Sequence, residues 1–213
     1  ARRYLIENDL VEAIIALPDK MFYNTPLNTY IWVVSNKKED RRKGKIQLID
    51  AMAMKRPLRK KLGDKSNELT SEFRKQIVDV FLSFEESDIS HIYENEEFGF
   101  WEITVLMPMY REDGSVETDK KGNRVPDKDK TYTETVPFTY SGGIEEYFKN
   151  EILPFSDNAW IDDKKTKIGY EVSFTKCFYR PLHLRTFEEV MDELHSLEQE
   201  TDGMFNEITG GIR

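Results

Sequence analysis

Hydrophobic positions fall into short blocks separated by long polar stretches, and the spacing within each block predicts its element. Residues 2–8 read as the last turns of a helix, and Leu10 to Leu17 (LVEAIIAL) is an apolar run of strand length closed by Pro18. Thr29 to Val34 (TYIWVV) is β-branched and aromatic, and Lys45 to Asp50 (KIQLID) is a third short strand after the charged turn Asn36 to Gly44. With no helix between the last two, the three strands are expected to be antiparallel neighbours at the edge of a larger sheet. They would bury little alone, so partner elements should come from the rest of the chain or from outside it.

Further along, Phe73, Ile77, Val80, Phe81 and Phe84 share one face of a helix predicted over about Ser71 to Phe84. Glu96 to Pro108 reads as a strand, with Ile103, Val105 and Met107 alternating against Glu102, Thr104 and Leu106. Residues 111–130 are almost all turn formers and charges, which predicts a projecting hairpin or a disordered loop. A short helix is expected over Gly143 to Ile152, ending before Pro154, then the loop SDNAWIDDKKTK and a strand over Ile168 to Phe178. Thr186 and Glu189 fit a capping box. From there Phe187, Leu194, Thr201 and Ile208 recur every seven residues, with Val190, Met191, Leu197, Met204 and Phe205 filling the seam until Gly210-Gly211. Such a helix either meets a partner helix or folds back on its own domain.

Composition sets bounds on these elements. In 213 residues, 38% hydrophobic and 33% charged, there is material for one good core and long solvated loops. No stretch approaches the roughly 20 apolar residues of a membrane helix, and Arg2-Arg3 is not followed by the apolar run of a signal peptide. The single Cys177 excludes an internal disulfide and suits a reducing cytoplasm; in a strand-like run it is a packed thiol or a reactive one. His91, His183 and His195 show no ligand spacing with one another or with Cys177, so no metal is expected. Trp101 and Trp160 read first as buried anchors.

The net charge of −9 is unevenly spread. Residues 37–65 hold twelve Lys/Arg and four Asp/Glu, a local +8 that leaves −17 for the rest. Lys55, Arg56, Arg59, Lys60, Lys61 and Lys65 can neutralise phosphates or simply keep a loop solvated. The passage LPDKMFYNTPLNTYIWVV raises a similar choice. Phe22 on a loop between strands is either a lid over the core or a platform for a ligand. Tyr23, Asn24, Thr25 and Asn28 share that loop, although Asn and Pro also make ordinary turns.

Four separated passages, in order, carry a resemblance: IIALPDKMFYNTPLNTYIWVVSNKK, RKKLGDKSNELTSEF, FGFWEITVLMP and AWIDDKKTKIGYEVSFTKCFY, followed by the heptad helix. Together they resemble the modification (methyltransferase) subunit of type I restriction-modification systems. The resemblance implies an α/β fold. Residues 1–65 would be the C-terminal edge strands of a Rossmann-like, S-adenosylmethionine-dependent methyltransferase sheet. Residues 66–185 would form a mixed α+β region with the charged loop 111–130, and residues 186–213 a C-terminal heptad helix for subunit contact.

The activity implied is methylation of adenine N6 in DNA by the full-length protein. The family's Gly-rich cofactor loop and Asn-Pro-Pro-aromatic motif have no counterpart here, since there is no G-x-G, Asn-Pro or Pro-Pro. The chain is therefore expected to match the C-terminal part of such a subunit, with no catalytic residue of its own and no bound cofactor. Phe22 is implied as the face that packs on a flipped adenine, with Tyr23, Asn24 and Asn28 at the mouth. DNA, a specificity subunit and a restriction subunit are the implied partners. Phe187, Val190, Leu194, Leu197, Met204 and Ile208 would form the subunit interface. A non-catalytic DNA-binding or assembly module remains the alternative.

Overall fold

A computed structural model describes residues 1–179 and 186–210; the side chains of Glu198, Glu200 and 202–210 lie outside the description, as do His183 and Gly211. The chain divides into two compact units, Ala1–Phe178 and Tyr179–Arg213.

The first unit opens with α1 (Arg2–Glu7), followed by β1 (Val11–Ala16), β2 (Tyr30–Val34) and β3 (Lys45–Asp50), all close to the expected bounds. Next come β4 (Arg56–Leu62), β5 (Lys65–Glu68), α2 (Ser71–Ser83) and β6 (Ser90–Glu94). Four of these strands form a sheet in the order β2-β1-β3-β6. β2 is antiparallel to β1 as expected, but β3 lies on the other side of β1 and runs parallel to it. The expectation of three antiparallel neighbours is thus corrected. β1 and β3 are the two continuous apolar runs, and they occupy the centre because only there are both faces covered.

The two faces follow the strand period. Ile14 and Ala16 of β1 and Ile46 and Leu48 of β3 pack with Ile6, Phe98 and Phe174. On the opposite face, Ile15, Leu17 and Ile49 pack with Ile77 of α2, backed by Val80 and Phe81. Thr70 caps α2, its side chain accepting from the Phe73 N–H at 3.3 Å. The partner elements anticipated for the first strands thus come from the rest of the chain. The expected division at residue 65 falls inside β5, and β6 completes the sheet begun by β1. β2 is an edge strand, with Tyr30, Ile31, Trp32 and Val34 exposed.

The second half of this unit is a smaller sheet. β7 (Gly99–Leu106) pairs antiparallel with β8 (Tyr132–Pro137) on one side. On its other side lie β9 (Trp160–Ile161) and β10 (Lys167–Tyr170). Ile103, Val105 and Val136 pack with Ile152 and Ala159, and α3 (Gly143–Tyr147) continues through a π turn over the expected helix. Residues 108–126 form nested turns, closed by bridges Pro108–Pro126, Tyr110–Val116 and Thr118–Arg124. The Asp113 and Asp119 carboxylates accept turn N–H groups there, the projecting-hairpin alternative rather than a disordered loop.

The strand expected over 168–178 stops at Tyr170. Phe174–Cys177 is instead a one-turn helix, α4, capped by the Ser173 side chain. Ser173 offers the backbone a local partner that a strand cannot use. In the second unit α5 runs over Phe187–Gly210, and its start is the expected capping box: Thr186 N–H donates to the Glu189 carboxylate at 2.8 Å and Glu189 N–H to Thr186 Oγ1 at 3.2 Å.

Candidate nucleic-acid interface

The loop after β1 begins with buried Leu17 and Pro18 and ends where Leu17 N–H donates to the Thr29 carbonyl at 2.8 Å. Between these anchors the chain makes a tight turn bridged from Phe22 to Thr25. Phe22 is 50% exposed and Tyr23 63%, and neither belongs to a core cluster, so the lid reading fails on geometry. Asn24 shares the exposed turn. Asn28 does not join them, because its amide is turned inward against the Met52 sulfur.

Residues 56–68, which show no strand period in sequence, form a hairpin, β4–β5, turning at Gly63-Asp64. Its register runs Arg56–Glu68, Pro57–Asn67 and then Leu62–Lys65. Between the last two pairs, Leu58 to Lys61 face Ser66 alone, so β4 bulges. A bulge re-aims side chains that a regular ladder would fix. Arg59, Lys60 and Lys61 stand exposed on it. Together with Lys65 they have no ion-pair partner among the described residues. Lys55 and Arg56 are committed, to Asp19 at 2.6 Å and Glu68 at 2.7 Å. The hydrogen bond from Lys55 holds the Asp19 carboxyl below its ordinary range.

The hairpin is docked on the aromatic loop. Asp64 N–H donates to the Tyr23 carbonyl at 2.9 Å, and Ser66 and Asn67 N–H groups both donate to the Lys20 carbonyl. Lys20 has φ +54, a left-handed conformation that a non-glycine residue adopts at a cost of about 1 kcal/mol or more. The two N–H groups converging on its carbonyl hold it there. Asn67, buried, adds side-chain bonds to the Asp19 carbonyl and carboxylate. These docking residues were missed from sequence, although the Gly-Asp dipeptide between Leu62 and Lys65 is a hairpin signal.

The earlier half of the basic stretch is spent on the fold. Lys38 is buried and pairs with Asp9 at 2.5 Å. Burial pushes the Asp9 carboxyl up, but hydrogen bonds from Lys38, Gly44 and Asn95 outweigh it and hold the group below its usual value. Arg42 is 2% exposed and lies over the rings of Phe81 and Phe84 at 4.3 and 4.4 Å. It donates to Gln47 and the Phe81 carbonyl, while Gln47 reaches the Val80 carbonyl and Arg41 those of Leu82 and Ser83. The last four carbonyls of α2 all accept from side chains outside the helix in this way.

The other candidates sit elsewhere. Cys177 ends α4, and burial pushes its thiol pKa up, which favours packing over reactivity. His91 packs edge-on to Phe178 and near Glu86. Trp101 packs on Phe138, and Trp160 lies beside Arg124. Among the described residues no cluster of His, Cys, Asp and Glu could hold a metal, and no helix is long and apolar enough to cross a membrane. On α5, Phe187, Val190, Leu194 and Leu197 are exposed; the Met204 and Ile208 side chains lie outside the description. The residues present do not suit S-adenosylmethionine. β1 is followed by the buried pair Leu17-Pro18 rather than glycines that would open backbone N–H groups to a ligand, so no step through that cofactor is derived.

Comparison with known proteins finds similarity over the first half of the chain. The model of the family described as N-6 DNA Methylase matches residues 1–102, which include β1 to β3, the aromatic loop and the basic hairpin. More particularly, the chain is similar to methylase subunits of type I restriction enzymes from Methanocaldococcus jannaschii. It is 37% identical to the MjaIX subunit over 105 residues, 49% of this chain and 18% of that protein. To the MjaVIII subunit it is 36% identical over 89 residues, 41% of this chain and 15% of that one. A solved type I restriction-modification methyltransferase subunit from Streptococcus thermophilus is 22% identical, with 46% of this chain and 19% of that one covered at a TM-score of 0.39. The resemblance read from the sequence is thus borne out over the first half of the chain. The matched region spans less than a fifth of the length of these relatives.

Proposed function

We propose that the chain is part of the modification subunit of a type I restriction-modification system, which in full length methylates adenine N6 in DNA using S-adenosylmethionine. The observation that carries this is the juxtaposition of an exposed Phe22-Tyr23 turn with four cations, unpaired among the described residues, on a docked hairpin. A base must leave the duplex to be methylated, and an aromatic face steadies it there by about 1–3 kcal/mol. Arg59, Lys60, Lys61 and Lys65 would neutralise the neighbouring phosphates, a contribution blind to sequence and weakened by salt. Lys55 and Arg56 would shape the hairpin rather than touch DNA.

On this reading β1, β2 and β3 are edge strands of a Rossmann-like sheet that continues at the open edge of β2, where apolar side chains lie exposed. α5 would present Phe187, Val190, Leu194 and Leu197 to the helices of a specificity subunit, with a restriction subunit joining the same assembly. In the full-length protein Phe22→Ala should reduce methyl transfer at least tenfold and leave S-adenosylmethionine affinity within twofold; equal losses of both would defeat the reading.

The exposed α5 face favours a second reading, an assembly module without chemistry of its own. Leu194→Asp with Leu197→Asp separates the roles: lost capture of the specificity subunit with an unchanged melting temperature supports docking, and a fall in melting temperature supports internal packing.

A further inference from the structure

Among the described residues, every hydrogen bond that leaves the hairpin 56–68 ends on Asp19, Lys20 or Tyr23 of the aromatic loop. The hairpin is thus built to hold that loop as well as to display charge. Gly63 has φ +61, and a Cβ there would stand 2.8 Å from the Tyr23 carbonyl oxygen and 3.1 Å from its ring, so only glycine lets the two backbones meet. At the other end of β5, Asn67 faces Pro57, which has no N–H, and its amide is spent wholly on Asp19 at 3.0 and 3.2 Å. Between them lies Lys20, whose left-handed backbone is held by the N–H groups of Ser66 and Asn67 at 3.1 and 3.3 Å. The contacts bracket the turn that carries Phe22, which itself has no core contact to fix it.

We infer that Asn67 and Gly63 are positioning residues that lock the aromatic turn to the basic hairpin, so that phosphate binding by the bulge and stacking of an unpaired base on Phe22 occur as one event on one nucleic-acid strand. The inference rests on the proposed function above and adds what makes its two surfaces a single site. Charge and stacking are separable in solution: the salt dependence of binding counts phosphates, while the preference for an unpaired base reports the ring.

The test is fluorescence anisotropy with the 213-residue chain and two labelled duplexes, one fully paired and one carrying a single unpaired adenine, each titrated over a range of salt concentrations. The unaltered chain should prefer the unpaired adenine by about fivefold or more, and Phe22→Ala should abolish the preference. Asn67→Ala should remove the preference while leaving the salt slope on the paired duplex unchanged, because all four cations remain. Gly63→Ala, at an exposed turn away from every core cluster, should do the same and guards against misfolding of the Asn67 variant. If both variants keep the preference while Phe22→Ala loses it, the lock is refuted and the proposed function stands. If the unaltered chain shows no salt-dependent binding to either duplex, the proposed function and the lock fall together.

Discussion

The two halves of one basic stretch have opposite fates. In residues 37–45 the fold takes up three cations, while Lys37 and Lys43 stay exposed: Lys38 is buried on Asp9, Arg42 lies over two phenylalanine rings, and Arg41, itself exposed, completes the end of α2. In residues 55–65 the chain bulges outward and leaves Arg59, Lys60, Lys61 and Lys65 without ion-pair partners among the described residues. Composition is nearly the same in both. What separates them is the neighbouring apolar scaffold. Phe81, Phe84 and the bare carbonyls of α2 give arginine something to stack on and donate to, whereas the hairpin has only its own turn and an exposed loop.

The largest effects that would break this comparison are expected in the first half. Arg42→Ala removes the stacked guanidinium and strips Gln47 and the Phe81 carbonyl of a donor, and should cost about 3 kcal/mol or more in urea denaturation. Arg42→Lys should recover little of it, because an ammonium has neither the fork nor the flat face. A result under about 0.5 kcal/mol would mean that Arg42 is as dispensable as a surface cation.

Asp9→Ala should cost somewhat less, about 2–4 kcal/mol, since it leaves the Lys38 ammonium buried without its partner. The carboxyl of Asp9 is held below its unfolded value in the fold. Its stabilisation is therefore fully present above the ordinary carboxylate range and is lost as the pH falls through the folded pKa. Urea-denaturation midpoints of the unaltered and Asp9→Ala chains, measured over a pH series, should accordingly converge as the pH drops; parallel curves would remove the ion pair from the account.

In the second half, replacing Arg59, Lys60, Lys61 and Lys65 together by Gln should leave stability within about 0.5 kcal/mol. The same change should flatten the salt dependence of DNA binding by about 3–4 in log–log slope. Lys20→Gly should be neutral or stabilise by about 1 kcal/mol, because glycine takes the left-handed backbone without strain. Marked destabilisation would show that the Lys20 side chain has a role the backbone does not reveal.

These contrasts also mark what the sequence could tell. Strands β1, β2 and β3, helix α2 and the cap of α5 were legible because each announces itself by period or by a capping pair. The hairpin was hidden, since five cations in β4 and β5 mask any alternation and a bulge breaks the period that remains. Strand β6, SHIYE, is too short and too polar on its face. The burial of Arg42 had one readable signal, Gln47 inside an otherwise apolar strand: a buried amide needs partners, and the nearest donors and acceptors lay at the end of α2. Phe22 was legible as a candidate, but the docking of its loop on the hairpin through Lys20 and Tyr23 was not. That contact joins residues about forty positions apart through backbone groups, which leave no trace in side-chain identity.

The bulge in β4 makes reach adjustable. Because Leu58 to Lys61 face a single residue across the ladder, one position can be added or removed there while the pairings at Arg56–Glu68 and Leu62–Lys65 stay as they are. Each such change would move a cation by about 3.4 Å, roughly half the spacing between successive phosphates of an extended strand. On the proposed function, a change of length in the bulge would retune the grip on a polyanion with the core and the aromatic turn untouched.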